Sequence, residues 1–339
     1  MPRQPFVSSR LQGFGTTIFS QMSALAMETN AINLGQGFPD TDGPMGIRRE
    51  AANAILNGPN QYPPVGGIAD LRSAIVEHQK RFWGIELESD TQVVTTTGAT
   101  EAIAAALIGL CELGDEVIVF DPTYDSYAAG IAMAGARPRP VVTHPADDNT
   151  FQFDEAELRA FGPRTELILL NTPHNPTGKV FSHDELALIA DLCLHFNVLA
   201  VVDEVYEHLI LQRRHHALRQ LWDVRPNHHH LVDLTKCFSL TGWKVGWATG
   251  PSALIAAVQT AKQFLTFATG APFQPAVASA LQLDSAYFTG SGRRHAAPTR
   301  HCRSRPLRTQ DSSVLAKQHL LHYGQDFAPR LQQRDQLLP

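Results

Sequence analysis

Residues 182–206 read SHDELALIADLCLHFNVLAVVDEVY. The first part, SHDELALIADLCLHF, opens with Ser182 and, three residues on, Glu185, the pattern of a capping box, and continues as a helix. The second part, NVLAVVDEVY, is an apolar run closed by an acid, the pattern of a fully buried strand. A helix followed at once by a strand buried on both faces is the unit of a parallel sheet covered by helices.

Working outward, the same alternation recurs. TELILLN (165–171) precedes the helix as a second strand. Before it stand the helical SYAAGIAMAGA (126–136), the strand DEVIVFD (115–121) and the helix ATEAIAAALIGLCEL (99–113), which Gly114 stops. A short helical pattern, TIFSQMSALAME (17–28), lies in a Gly- and Pro-rich N-terminal stretch. The expected fold is α/β, a three-layer, mostly parallel (mixed) sheet. Ligands of such sheets bind at the C-terminal ends of the strands.

At 339 residues, 43% hydrophobic and 18% charged, the chain is ordinary for a globular enzyme. A net charge of −5 argues against a nucleic-acid partner. Cys111, Cys193, Cys237 and Cys302 have no CxxC spacing; they read as reduced thiols, and no metal site is expected. Neither a secretory signal nor a membrane span is seen, so a cytoplasmic protein is expected. Two stretches break the alternation. Residues 211–230 are rich in His and Arg, and 291–310 hold six arginines and no acid. Both are expected to be solvated or disordered.

The residues that follow the strands carry the chemistry. Gly98, Ala99 and Thr100 open a helix and can either cap it or present N–H groups to an anion. Tyr124 can stack on a flat ring or pack on a helix. Asn175, in the turn NTPHNPTG (171–178), can form the turn or donate to a ligand oxygen, and His174 reads as structural. Asp203 ends an apolar strand and needs a cationic partner, and Tyr206 can share its cleft. Lys236 and Lys244 follow in LTKCFSLTGWKVG (234–246). Together these describe a pocket for a flat pyridinium ring bearing a phosphate and an aldehyde.

NTPHNPTG, DEVYEHL and LTGWKVGW, with INLGQGFPD and NQYPPVGGIADLRSAI upstream, resemble in order the signature blocks of the class I/II aminotransferases. These are fold type I enzymes that use pyridoxal 5′-phosphate. The nearest subgroup is that of kynurenine, methionine and N-succinyldiaminopimelate aminotransferases. The likeness covers roughly residues 12 to 285. It implies that Lys236 forms the Schiff base with the cofactor aldehyde and moves protons, and that Lys244 neutralises the phosphate. It implies further that Gly98, Ala99 and Thr100 seat the phosphate and that Tyr124 stacks on the ring. Asn175 and Tyr206 would bind the ring's 3′-oxygen, and Asp203 would pair with the ring nitrogen. Gly37 would meet the substrate carboxylate, and Tyr62 would reach the phosphate of a neighbouring subunit in a homodimer.

Asp233 stands where the family usually has Ser, placing a carboxylate beside the phosphate. The resemblance divides the chain into an N-terminal arm with part of a small domain (1–44), a cofactor-binding large domain (45–290) and an aberrant or partly disordered remnant of the C-terminal small domain (291–339). The small domain is thus expected to be incomplete, and no residue of the chain is assigned as the substrate-carboxylate arginine. The implied function is transfer of an amino group from an aromatic, sulfur-containing, kynurenine or N-succinyldiaminopimelate-like amino acid to a 2-oxo acid. The alternatives are a carbon–sulfur lyase on the same scaffold and a catalytically degenerate remnant.

Overall fold

The computed structural model describes residues 6–31, 33, 42–146, 150–159, 161–209 and 238–290, and the backbone of 228–232. Eight strands form one mixed sheet in the order β1-β8-β7-β6-β5-β2-β3-β4. They are β1 (Val93–Thr96), β2 (Glu116–Asp121), β3 (Arg137–Pro145), β4 (Phe151–Phe153), β5 (Thr165–Asn171), β6 (Leu199–Asp203), β7 (His228–Val232) and β8 (Gly246–Thr249). The pairs β7–β6, β6–β5, β5–β2 and β2–β3 are parallel; β8 runs antiparallel to both its neighbours, and β4 to β3.

Around the sheet lie α1 (Ile18–Thr29), α2 (Met45–Asn57), α3 (Ala69–Trp83), α4 (Gly98–Leu110), α5 (Asp125–Ala134), α6 (Glu155–Leu158), α7 (His183–Phe196), α8 (Ser252–Lys262) and α9 (Phe273–Leu281). The central strands alternate strictly between two cores. Val117, Val119, Leu167, Leu169 and Val201 pack against α4, α5 and α8. Ile118, Phe120, Ile168, Leu170, Ala200 and Val202 pack against α7. Successive side chains on a strand point to opposite faces, so a continuous apolar run feeds both cores. A third cluster joins α2, α3 and α9 around Trp247 of β8.

The local signals hold where they were read. Ser182 Oγ accepts from Glu185 N–H, and the Glu185 carboxylate accepts from Ser182 N–H, closing the capping box of α7. Cys111 and Cys193 are free buried thiols, and burial pushes both up to about 12. One expectation is corrected: part of the 211–230 stretch is ordered. His228–Val232 forms β7 and pairs in register with Ala200–Asp203 on one side and with β8 on the other. A His-rich segment carries no apolar run, so its strand character comes from two neighbours offering hydrogen bonds, not from its own pattern. Among the described residues no helix is long and apolar enough to cross a membrane.

Candidate active site

Sheet direction decides where the polar residues collect. Asn171 ends β5 directly beside Asp203, which ends β6. Both have the parity of Leu169 and Val201, so both face the α4 side. Because β8 is antiparallel, its first residue, Gly246, pairs with Thr96, the last residue of β1. The start of α4 and the chain leaving Lys244 therefore meet at one edge of the sheet.

That meeting is close. A Cβ on Gly246 would lie 2.8 Å from Gly98 Cα and 2.9 Å from Ala99 N, so only glycine fits there. Gly98 has φ +77°, a conformation glycine adopts without strain. The N-cap residue of α4, Thr97, makes no side-chain cap hydrogen bond. Gly98 and Ala99 are buried, and Thr100 is exposed. Lys244 is an exposed cation in the left-handed conformation at the end of the 3₁₀ turn Thr241–Trp243.

Ala99 at the start of α4 packs in one buried cluster with Val205, Tyr206 and Leu209, which follow β6. The N-terminal end of α4 thus packs against the turn that follows the acid closing β6. Asp203 is 5% exposed. Its Oδ2 accepts from the Tyr127 hydroxyl at 2.6 Å, and its Oδ1 accepts from Val205 N–H at 3.2 Å. Asn175 Nδ2 donates to the Tyr206 hydroxyl at 3.4 Å, and Asn175 N–H is tied to the Asn171 side chain. Tyr124 meets Tyr127 edge to face, with centroids 5.7 Å apart. Phe19 of α1 lies 6.4 Å from Tyr124, bringing the N-terminal helix to the same mouth.

Gly98, Ala99, Tyr124, Asn175, Asp203 and Tyr206 are therefore joined through contacts or shared neighbours at one end of the sheet, with Thr100 next to Ala99 and Lys244 two residues before Gly246. Tyr62 stands at the rim, 84% exposed, its ring 5.4 Å from that of Phe267. Lys236, Asp233 and Gly37 lie outside the described residues. His174 is structural: buried, bonded through Nδ1 to Thr177 Oγ1 at 2.7 Å and pushed down by burial to about 4.

The chain matches the family "Aminotransferase class I and II" over residues 29–331. It belongs to that family. The chemistry of this family is pyridoxal-phosphate-dependent transfer of an amino group between an amino acid and a 2-oxo acid. This aminotransferase is 48% identical over 281 residues to a probable N-succinyldiaminopimelate aminotransferase of Mycobacterium tuberculosis, covering 82% of this chain and 70% of the relative. It is 38% identical over 291 residues to the methionine aminotransferase of Escherichia coli, covering 85% and 75% respectively. The solved N-succinyldiaminopimelate aminotransferase of M. tuberculosis superimposes with a TM-score of 0.85 at 45% identity, over 88% of this chain and 78% of that one. Six of the eight strands run one way, as the mixed-sheet reading requires.

Sequence reasoning missed two buried polar residues in this part of the aminotransferase. Tyr127 read only as part of a helix, although it stands three residues from Tyr124 and so shares its helical neighbourhood. Burial, and after it the Asp203 carboxylate, raises its hydroxyl well above the usual phenol range, so it remains a proton donor. Lys262 is fully buried, and its Nζ donates to Val65 O at 2.8 Å and Phe267 O at 2.7 Å. It binds the segment after Tyr62 to the segment holding Phe267. No local pattern marks a lysine one of whose two carbonyl partners, Val65 O, lies 197 positions away.

Proposed function

We propose that this chain binds pyridoxal 5′-phosphate between the start of α4 and the end of β6. There it aminates a 2-oxo acid at the expense of an aromatic, sulfur-containing, kynurenine or N-succinyldiaminopimelate-like amino acid. The observation that carries this is the cluster of Ala99 with Val205 and Tyr206, which places an anion-favouring helix terminus beside a buried carboxylate. The residues present suit the cofactor at both ends: a cation and a helix N-terminus for phosphate, an acid for a protonated ring nitrogen. The Gly246–Gly98 approach supports the same reading, because a side chain there would push the helix start out of place.

When bound, the cofactor supplies an electron sink that lets an amino acid lose its α-proton. The chain's own residues do the rest. Asp203 holds the proton on the ring nitrogen; the Tyr127 and Val205 donors fix its orientation and favour its ionised form. Gly98, Ala99 and Thr100 turn N–H groups to the phosphate, and Lys244 adds a point charge. Tyr124 covers one ring face and excludes water from it. Asn175 Nδ2 and the Tyr206 hydroxyl donate to the ring oxygen. Lys236, four residues beyond Val232 and two before Phe238, would hold the cofactor aldehyde and would serve as the base that takes and returns the substrate α-proton. Gly37 offers backbone to the substrate carboxylate.

A homodimer completes this reading. Tyr62, Phe264, Leu265 and Phe267 form an exposed apolar rim, 84%, 83%, 47% and 45% accessible, beside the phosphate end of the pocket. A second copy seated there would bring its Tyr62 to this phosphate.

Absorption spectroscopy with added pyridoxal phosphate tests the proposal. The expected result is a visible band that borohydride abolishes by fixing the cofactor to Lys236. Lys236→Ala lacks it and loses roughly 10²–10⁴-fold or more in turnover. Product analysis should find a 2-oxo acid with an aminated acceptor. Pyruvate with ammonia and a thiol, or a band unchanged in Lys236→Ala, overturns the reading.

A further inference from the structure

Four residues past Asp203, on the far side of the same turn, lies a second polar cluster that the cofactor chemistry does not use. His78 of α3 is 1% exposed, and its Nε2 is 2.9 Å from Nε2 of His208. His208 Nε2 is 3.7 Å from Glu207 Oε1, with side-chain exposures of 7% and 1%. The three ligand atoms lie within 4.8 Å of one another. The two histidines are 130 positions apart, so no sequence spacing could announce them.

We propose that His78, Glu207 and His208 form a buried site for a borderline transition-metal dication of the zinc class. A tetrahedral zinc ion with Zn–N bonds of about 2.0–2.1 Å holds two ligand atoms about 3.3–3.4 Å apart. The observed 2.9 Å and 3.7 Å bracket that spacing, and all three ligand atoms lie within 4.8 Å of one another. Two imidazoles and one carboxylate are a donor set that such ions accept, with one position left open.

Charge balance points the same way. Glu207 and Glu204 are 3% and 1% exposed and belong to one turn, in which Glu207 N–H donates to Glu204 O at 2.9 Å. A buried carboxylate is costly unless it is paired, and a bound dication would pair with Glu207. The Arg81 guanidinium spreads over the Phe82 and Phe288 rings at 4.5 and 5.4 Å. The shell is otherwise aromatic: Phe82 and Phe288 flank His208 at 4.7 and 4.8 Å. Such a dry wall strengthens metal–ligand electrostatics. A surface cleft of about 360 Å³, lined by His78, Lys80, Arg81 and Gln282 among others, gives an entry side. The bound ion would pin α3 to the turn that carries Asp203 and Tyr206.

The test uses the full chain, purified without a histidine tag, stripped with chelator and titrated with ZnCl2 and CoCl2. The chain has 15 histidines, including His215–His216 and His228–His230, so adventitious binding needs a control. The expected result is one tight equivalent per chain, a four-coordinate cobalt absorption band and a rise of several degrees in the thermal midpoint with zinc. His78→Gln and His208→Gln should each weaken this equivalent at least about 100-fold, while a variant with glutamine at 215, 216, 228, 229 and 230 retains it. If the histidine variants fail to fold, zinc-edge X-ray absorption on the unsubstituted chain decides. A shell with two imidazoles and a carboxylate supports the site; an oxygen-only shell overturns it. No binding at micromolar zinc, or an equivalent unchanged in His78→Gln, also overturns it and leaves a histidine–histidine hydrogen bond only. None of these readouts depends on Lys236, so the cofactor reading stands or falls separately.

Discussion

The two faces of the sheet are built from the same strands, yet they end differently. The α7 face runs apolar along Ile168, Leu170, Ala200 and Val202 and is sealed by Phe181, Leu186 and Ile189. The α4 face begins the same way, with Leu167, Leu169 and Val201, and finishes in Asn171 and Asp203. One residue of parity separates scaffold from site. A strand's last inward residue can be polar only where a partner waits, and here the Tyr127 hydroxyl and Val205 N–H meet the Asp203 carboxylate.

Adjacent leucines offer the sharpest way to break this contrast. Leu169 and Leu170 are 1% and 0% exposed on opposite faces. Leu169→Ala and Leu170→Ala should each cost about 2–5 kcal/mol in urea unfolding. Only Leu169→Ala should also weaken retention of added pyridoxal phosphate in a gel-filtration assay; equal losses for both would erase the distinction between the faces.

Acid should act next most strongly. Burial holds the His174 imidazole at about 4, against an ordinary value of 6.5. The unfolded chain binds the proton first, so this contribution is complete above pH 6.5 and is lost as pH falls towards 4. The loss is about 3 kcal/mol at most. Unfolding free energies between pH 7 and 4 should fall more steeply for the unsubstituted chain than for His174→Gln.

Tyr127→Phe removes a donor to a buried carboxylate and should cost about 2 kcal/mol. Its effect should extend to the site, seen as weaker pyridoxal phosphate affinity by equilibrium dialysis. The raised hydroxyl adds a signature: its stabilisation is present below the ordinary phenol pKa and is lost as pH climbs above it. Tyr127→Phe should flatten the stability profile above about pH 10.

The smallest effect belongs to the scaffold face alone. Ser182→Ala opens the capping box of α7 and should cost about 1 kcal/mol without altering cofactor affinity. A change in affinity would mean that the two faces are coupled through β5 and β6.

Sequence by itself determined the α/β alternation, the capping box at Ser182 and Glu185, the strand ends at Asn171 and Asp203, and the family blocks around them. These are local patterns: periodicity, caps and turn residues act over a few positions and survive without knowledge of the rest. Tertiary structure alone decided that His228–Val232 is a strand, that β8 runs backwards to bring Gly246 against Gly98, that Tyr127 serves Asp203, and that His78 faces His208. Each of these joins residues far apart in the chain, and the energy lies in burying and pairing two groups together. Neither partner carries that energy in its own stretch of sequence.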